Sequence, residues 1–275
     1  MNDINNIPVA DFDGFTPFEM DRIIYFPFED NCPIKMNVLT KETIVDNCPI
    51  FNILFEFLSR IGEDIKLTEK GNLPVKIIKA IYDLKILPDD SIEHGIGKIR
   101  TETDWTVLHN VRIVLTMAGL IRKNKNSLIL TNNCKTFLKD NNYSGLFIEF
   151  LKIFTMLFSW AYNDLYENQD IGQLASLFSL YLINKYGDEF RDLDFYMNLY
   201  FSAFPTLLDK KESNSGALYH IRFVERFAIW FGFVEEEIIK GKSYFDRRIR
   251  IKRTKLLQEL LQIKSAPGCS IYQIN

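Results

Sequence analysis

Histidine is scarce in this 275-residue chain. There are 3, His94, His109 and His220, and none stands in an HxH, HExxH or His-to-carboxylate metal spacing. Cysteine is little commoner. Cys32, Cys48, Cys134 and Cys269 form no CxxC pair, which excludes zinc ribbons and fingers. So few thiols suit a reducing cytosol, and a Cys32–Cys48 disulfide or metal pair is not expected there. The phosphate-cradling GxxxxGK[ST] and GxGxxG loops and the GxSxG nucleophile elbow are missing, which removes the signatures of P-loop, dinucleotide-binding and hydrolase sites. His94-Gly95-Ile96-Gly97-Lys98 is too short to replace them. No cofactor is expected. Long uncharged runs are also lacking. Glu149, Lys152 and Asp164 interrupt Leu146 to Tyr166, and Ile171 to Ile183 is uncharged for only 13 residues. A spanning helix needs roughly 20, so these are expected to be buried helices rather than membrane spans. No basic stretch leads into an apolar run between Met1 and Phe28, so no signal peptide is expected and a cytoplasmic location is.

What the chain has is apolar mass: 47% hydrophobic residues, with 23 Phe and 12 Tyr. That is enough for a well-buried core. Its 33 basic and 36 acidic residues almost cancel, but they are unevenly placed. Residues 1–60 hold 4 basic and 10 acidic groups, 61–140 hold 13 and 10, 141–204 hold 3 and 8, and 205–275 hold 13 and 8. The net charges are therefore −6, +3, −5 and +5. Such blocks either attract one another within the fold or present a basic face to a polyanion.

Five segments follow from composition and pattern: an N-terminal arm (1–50), a helix–hairpin unit (51–140), an aromatic-rich helical core (141–205), a second such unit (216–264) and a tail (265–275). In the arm, Asp30-Asn31-Cys32-Pro33-Ile34 recurs as Asp46-Asn47-Cys48-Pro49-Ile50. Asp or Asn just before Pro predicts a capped helix start at the second copy. Ile65 to Pro74 reads as a short strand and a turn, followed by a helix to Lys85 whose Val75, Ile78 and Tyr82 share one face. Ser91 to Asp104 reads as a loop. Trp105 to Gly119 reads as an amphipathic helix with Val107, Val111, Val114, Leu115 and Ala118 inward; Thr106, His109, Asn110 and Arg112 are the candidates for the opposite side. Leu120 to Thr131 then reads as a β-hairpin and Asn133 to Lys139 as a helix. In the aromatic core, stripes such as Leu146, Phe150, Ile153, Phe154 and Leu157 are expected to be buried.

The order helix, Gly-Leu-Ile, basic hairpin, Leu-Thr, helix over residues 105–139 resembles the wing region of winged-helix proteins, including MarR- and PadR-type regulators. The resemblance implies a DNA-contacting wing. The 86–104 connection is longer than the turn of about three or four residues that joins a helix-turn-helix. The unit recurs: Leu108 to Val114 aligns with Leu218 to Val224, and Gly119-Leu120-Ile121 with Gly232-Phe233-Val234. The second copy continues into Arg248-Ile249-Arg250-Ile251 and a helix expected from Thr254 to Ile263. The Lys70-Gly71-Asn72-Leu73-Pro74 segment, with Gly14 to Met20 and Tyr25 to Phe28, is similar to uncharacterised bacterial proteins, some associated with mobile elements. That second resemblance spans residues 12–140 and implies no catalytic residues.

The candidate site is basic. Lys242, Arg247, Arg248, Arg250, Lys252, Arg253 and Lys255 lie close together with Asp246 opposing them. Arg122, Lys123 and Lys125 make a smaller basic hairpin. In a strand, Arg248, Arg250 and Lys252 share one face and Ile249 and Ile251 the other. Arginines and lysines so placed would neutralise phosphates. The expectation is a mainly α protein, a helical body with short β-hairpins and winged-helix-like repeats. Its leading function is non-enzymatic nucleic-acid binding or regulation, with the C-terminal hairpin as main contact. The alternatives are a protein–protein interaction or scaffold module, including a homo-oligomer, and a metal-dependent nuclease built on Asp188, Glu189, Asp192 and Asp194.

Overall fold

A computed structural model describes residues 4–62, 65–164, 166, 168–208, 214–240 and 247–263. Lys242 and the 265–275 tail lie outside them. The fold is mainly helical. Its helices are α1 (Pro17–Tyr25), α2 (Lys41–Asn47), α3 (Pro49–Ile61), α4 (Val75–Tyr82), α5 (Asp90–Glu93), α6 (Thr106–Met117), α7 (Asn132–Lys139), α8 (Tyr143–Met156), α9 (Ser176–Tyr186), α10 (Leu193–Ala203), α11 (Ser215–Tyr219) and α12 (Lys255–Leu260). The strands are β1 (Ile34–Met36), β2 (Ile121–Asn124), β3 (Ser127–Leu130), β4 (Arg191–Asp192), β5 (Val234–Ile239), β6 (Arg248–Arg253) and β7 (Leu261–Ile263). They form the antiparallel pairs β1–β7 and β2–β3 and the sheet β4–β6–β5. No helix among the described residues is long and apolar enough to cross a membrane.

Two compact units divide the chain. One joins Met1–Asn37 to Tyr166–Ile229 and Phe233–Asn275; the other is Val38–Leu165 with Trp230–Gly232.

The second of these units is built on α3, α6 and α8. Proline at the first turn of α3 fits its fixed φ to the helix, and seven of its residues, Ile50 through Ile61, are buried. The predicted Asp/Asn cap is not used. Asn47 ends α2, and Cys48 takes the cap position with no side-chain hydrogen bond. Phe51 packs on Phe147 with centroids 5.7 Å apart, and Phe154 on Phe231 at 5.1 Å. Leu157 leaves the core stripe: it follows the last turn of α8 and is 62% exposed. The 91–104 stretch is not all loop. Asp89 caps the short α5 through the Ser91 and Ile92 N–H groups. Asn110 is buried rather than outward-facing, because α6 is covered on more than one face.

The other unit surrounds α9, which is buried from Ser176 to Asn184. Asp13 anchors the N-terminal segment there. Its carboxylate accepts from the hydroxyls of Tyr181 and Tyr186 and from Lys185 Nζ, each at 2.7 Å. Residues His220–Ile229 form a π-helix whose Arg222 is fully buried and donates to Asn168 O at 2.6 Å. The helix expected to reach Ile263 stops at Leu260, and Leu261 to Ile263 become β7, because β1 offers them a ladder.

One local hydrogen-bond scheme occurs in both halves of the chain. Gly119 and Gly232 have φ +64° and +71°. The next N–H closes back on the helix, Leu120 on Leu115 O at 2.9 Å and Phe233 on Ala228 O at 2.8 Å. After each hairpin a threonine N–H returns to the same residue, Thr131 to Leu120 O and Thr254 to Phe233 O, both at 3.0 Å. Each threonine then caps the following helix. The aligned arginines also act alike. Arg112 donates to Gly71 O and Arg222 to Asn168 O, carbonyls in the loop ahead of an earlier helix.

Candidate nucleic-acid interface

Among the described residues, Arg248, Arg250 and Arg253 of the C-terminal hairpin each meet an acidic partner. Glu235 stands opposite Lys252 and Glu237 opposite Arg250 across the β5–β6 ladder. Arg250 donates to Glu237 at 3.0 Å and to Phe190 O at 2.6 Å. Arg248 pairs with Asp192 on the neighbouring β4. Arg253 pairs with Asp188, and Lys255 with Glu259 one turn along at 3.3 Å. Lys252 lies 5.9 Å from the Phe190 ring centroid. Arg247, just ahead of β6, is exposed. The predicted alternation holds on its inner side, where Ile251 is fully buried. Local sequence shows Asp246 as the opposing charge; the fold adds Asp188, Asp192 and Glu237.

The same pairing occupies the acidic cluster proposed for a metal. Asp188 and Asp192 face arginines, and no group of three His, Cys, Asp or Glu among the described residues is placed to hold an ion. Clefts of about 420 and 360 Å³ flank the Asp192–Arg248 pair. Cys32, Cys48 and Cys134 are buried and free, and burial pushes the Cys48 thiol up to about 12. Cys269 lies outside the described residues.

The N-terminal hairpin differs. Arg122, Lys123 and Lys125 are all exposed, and no ion pair holds them among the described residues. A third extended segment joins their ribbon. Lys66 pairs with Ser127, Leu67 N–H donates to Asn126 O at 2.7 Å and Leu128 N–H to Ile65 O at 3.1 Å. Cross-strand partners point to the same side. Because Arg122 faces Ile129, and Asn124 and Lys66 face Ser127, Arg122 and Lys66 share the outer surface. Ile121 and Leu128 face inward and are buried. Lys125 sits at the turn with φ +51°. Lys70 is exposed on the Thr68–Asn72 turn, and Lys123 Nζ stands 3.8 Å from where a Cβ on Gly71 would be. Glu69 is the acidic residue in that turn. Lys66 and Lys70 were legible as charges in the sequence, but only the pairing places them beside the hairpin.

Glu102, next to the end of the Thr68–Asn72 turn through Leu73, is 1% exposed. His109 Nδ1 lies 3.0 Å from one carboxylate oxygen; Leu73 N–H at 2.8 Å and Arg112 Nη1 donate to the other. Burial by itself would raise the Glu102 pKa, but His109, the Leu73 N–H and Arg112 together outweigh it and hold the carboxyl below its ordinary value. His109 Nε2 meets Tyr162 Oη at 3.3 Å. These bonds turn the polar side of α6 toward the protein. His220 is held similarly, with Nε2 2.7 Å from Glu236. Both histidines face a glutamate.

No family model, curated protein or solved structure matches the chain.

Proposed function

We propose that this is a non-enzymatic nucleic-acid-binding or regulatory protein whose contact surface is the β2–β3 hairpin with its neighbouring extended segment and turn. One observation carries the reading. Lys66 and Arg122 are exposed on the outer face of the ribbon, Lys123 on its other face, Lys125 at its turn and Lys70 on the adjoining Thr68–Asn72 turn, none with an ion pair among the described residues. The order α3, the bridged segment at Lys66, α4, α5, α6, β2, β3, α7 supports a winged-helix-like unit, with the hairpin as wing. The shared hydrogen-bond scheme supports a second such unit near the C-terminus. Because α6 spends His109 and Arg112 on Glu102, the contact falls to backbone phosphates rather than to bases read by that helix. Lys125 also occupies a left-handed position that glycine or asparagine would fill at lower cost, a local expense that fits a side chain kept for its charge.

The test is binding of mixed-sequence duplex DNA across a salt series. Arg122→Glu with Lys125→Glu should weaken binding and flatten the dependence of log affinity on log salt by about 2, since each lost phosphate contact contributes roughly 0.9. Arg248→Gln with Arg250→Gln should leave that slope unchanged. An unaltered slope in the first variant refutes the assignment.

The ion-paired arginines of the C-terminal hairpin favour the second reading, a protein–protein interaction module. β5 is paired on one side only among the described residues, and its Ile238 and Ile239 are 44% and 40% exposed. A stable oligomer or a defined protein complex, with no salt-dependent DNA binding, would establish that reading instead.

A further inference from the structure

The Lys70-Gly71-Asn72-Leu73-Pro74 segment is a closed and anchored turn. Thr68 N–H donates to Asn72 O at 2.9 Å and Gly71 N–H to Thr68 O at 2.8 Å. Asn72 N–H also reaches Thr68 Oγ1 at 3.0 Å. Two further bonds tie the turn to the interior. Leu73 N–H donates to Glu102 Oε2 at 2.8 Å, and Arg112, whose Nη1 pairs with that same oxygen, donates to Gly71 O at 2.8 Å through Nη2. Gly71 has φ +82°, a conformation that suits a residue without Cβ. Its bare side faces Lys123 Nζ. Glu102 is thus offset by Arg112, while Lys70 and Lys123 flank the turn without an ion pair among the described residues.

We infer that this turn is a phosphate-contacting element and that Glu102 is its positioning residue, holding Lys70 and the bare Gly71 backbone beside Lys123. The inference rests on the nucleic-acid reading above and names a part of that surface. Lys123 Nζ stands beside the Gly71 backbone and Lys70 is exposed in the same turn, so a phosphate oxygen at the turn would meet positive charge that no ion pair among the described residues already engages. The anchoring bonds hold the backbone of the turn in place before the nucleic acid arrives, so little ordering remains to be done on binding.

The experiment measures duplex DNA affinity against salt for the full chain and for Lys70→Ala, Glu102→Gln and the double variant. Lys70→Ala should lower the slope by about 0.9, one phosphate. Glu102→Gln should lower it similarly, and the double variant should lose no more than either alone. A purely structural role for Glu102 would lower thermal stability without changing the slope. Arg112→Lys provides the check if Glu102→Gln does not fold: it keeps the charge beside Glu102 but lacks the fork that reaches both Glu102 and Gly71 O, so it should show the same coupling to Lys70. If the wild-type chain binds no DNA, the parent reading and this inference both fall. If the wild type binds and Arg122→Glu with Lys125→Glu weakens it, but Glu102→Gln and Arg112→Lys leave the slope intact or add fully to Lys70→Ala, the positioning role alone is overturned.

Discussion

Alanine at Gly232 should destabilise the Val38–Leu165 unit far more than alanine at Gly119, although the two glycines end aligned helices at nearly equal φ, +71° and +64°. Both substitutions force an L side chain into the left-handed region, which costs about 1–2 kcal/mol. For Gly119 that is the whole effect, since nothing lies within 4 Å of the added carbon. At Gly232 the new Cβ would stand 1.9 Å from Asn47 O, 3.1 Å from Asn47 C and 3.1 Å from Pro49 Cδ. The carbonyl is backbone at the α2–α3 junction and must move by more than 1 Å to reach an ordinary separation. Ile50 N–H, bonded to Trp230 O at 2.8 Å, ties the same junction to the segment that carries Gly232. Overpacking of this kind costs about 1–3 kcal/mol, so the total for Gly232→Ala is roughly 2–5 kcal/mol. Urea unfolding followed by tryptophan fluorescence measures both variants, with the difference taken from the midpoints at constant m. Equal losses in the two would show that Asn47 O does not confine Gly232, and the steric argument would fail.

Other perturbations separate stability from binding. Lys125→Gly should stabilise the hairpin by about 1 kcal/mol by relieving its left-handed backbone and yet weaken duplex binding; tighter binding in the glycine variant would count against the surface. Asp13→Ala removes the acceptor shared by Tyr181, Tyr186 and Lys185 and should cost at least the roughly 1.5 kcal/mol of one charge-assisted hydrogen bond, read as a lower denaturant midpoint. Glu102 gives an acid-side signature. Its folded pKa is depressed, so its contribution is present above the unfolded value of about 4.3 and is lost as pH falls through the folded one. Glu102→Gln should therefore flatten stability against pH below that point, and a profile parallel to wild type would show that the carboxylate is not stabilised by the fold.

Much of the architecture was readable because it depends on local chemistry. Apolar spacing located α3, α4, α6 and α8, and turn residues located both hairpins. Elements went astray where a neighbour decided. Cys48 rather than Asp46 or Asn47 caps α3, because Asn47 is already the last residue of α2. Leu261 to Ile263 leave the helix because β1 pairs with them. Asn110 looked outward on a helical wheel, yet α6 is packed on several sides.

Sequence alone determined the class of fold, the two basic hairpins and the Gly–hairpin–Thr pattern behind their common hydrogen-bond scheme. These follow from hydrophobic period and from single residues with special backbone freedom. Tertiary structure decided which positive charge is open. In the denser cluster, Arg248, Arg250 and Arg253 meet Asp192, Glu237 and Asp188, which lie on the paired strand or in segments distant in sequence, and Coulomb attraction at contact distance offsets those three charges. The sparser one, Arg122 to Lys125, gains Lys66 and Lys70 instead. Counting charges along a chain cannot separate those cases, because electrostatic compensation depends on distance in space and not on distance in sequence.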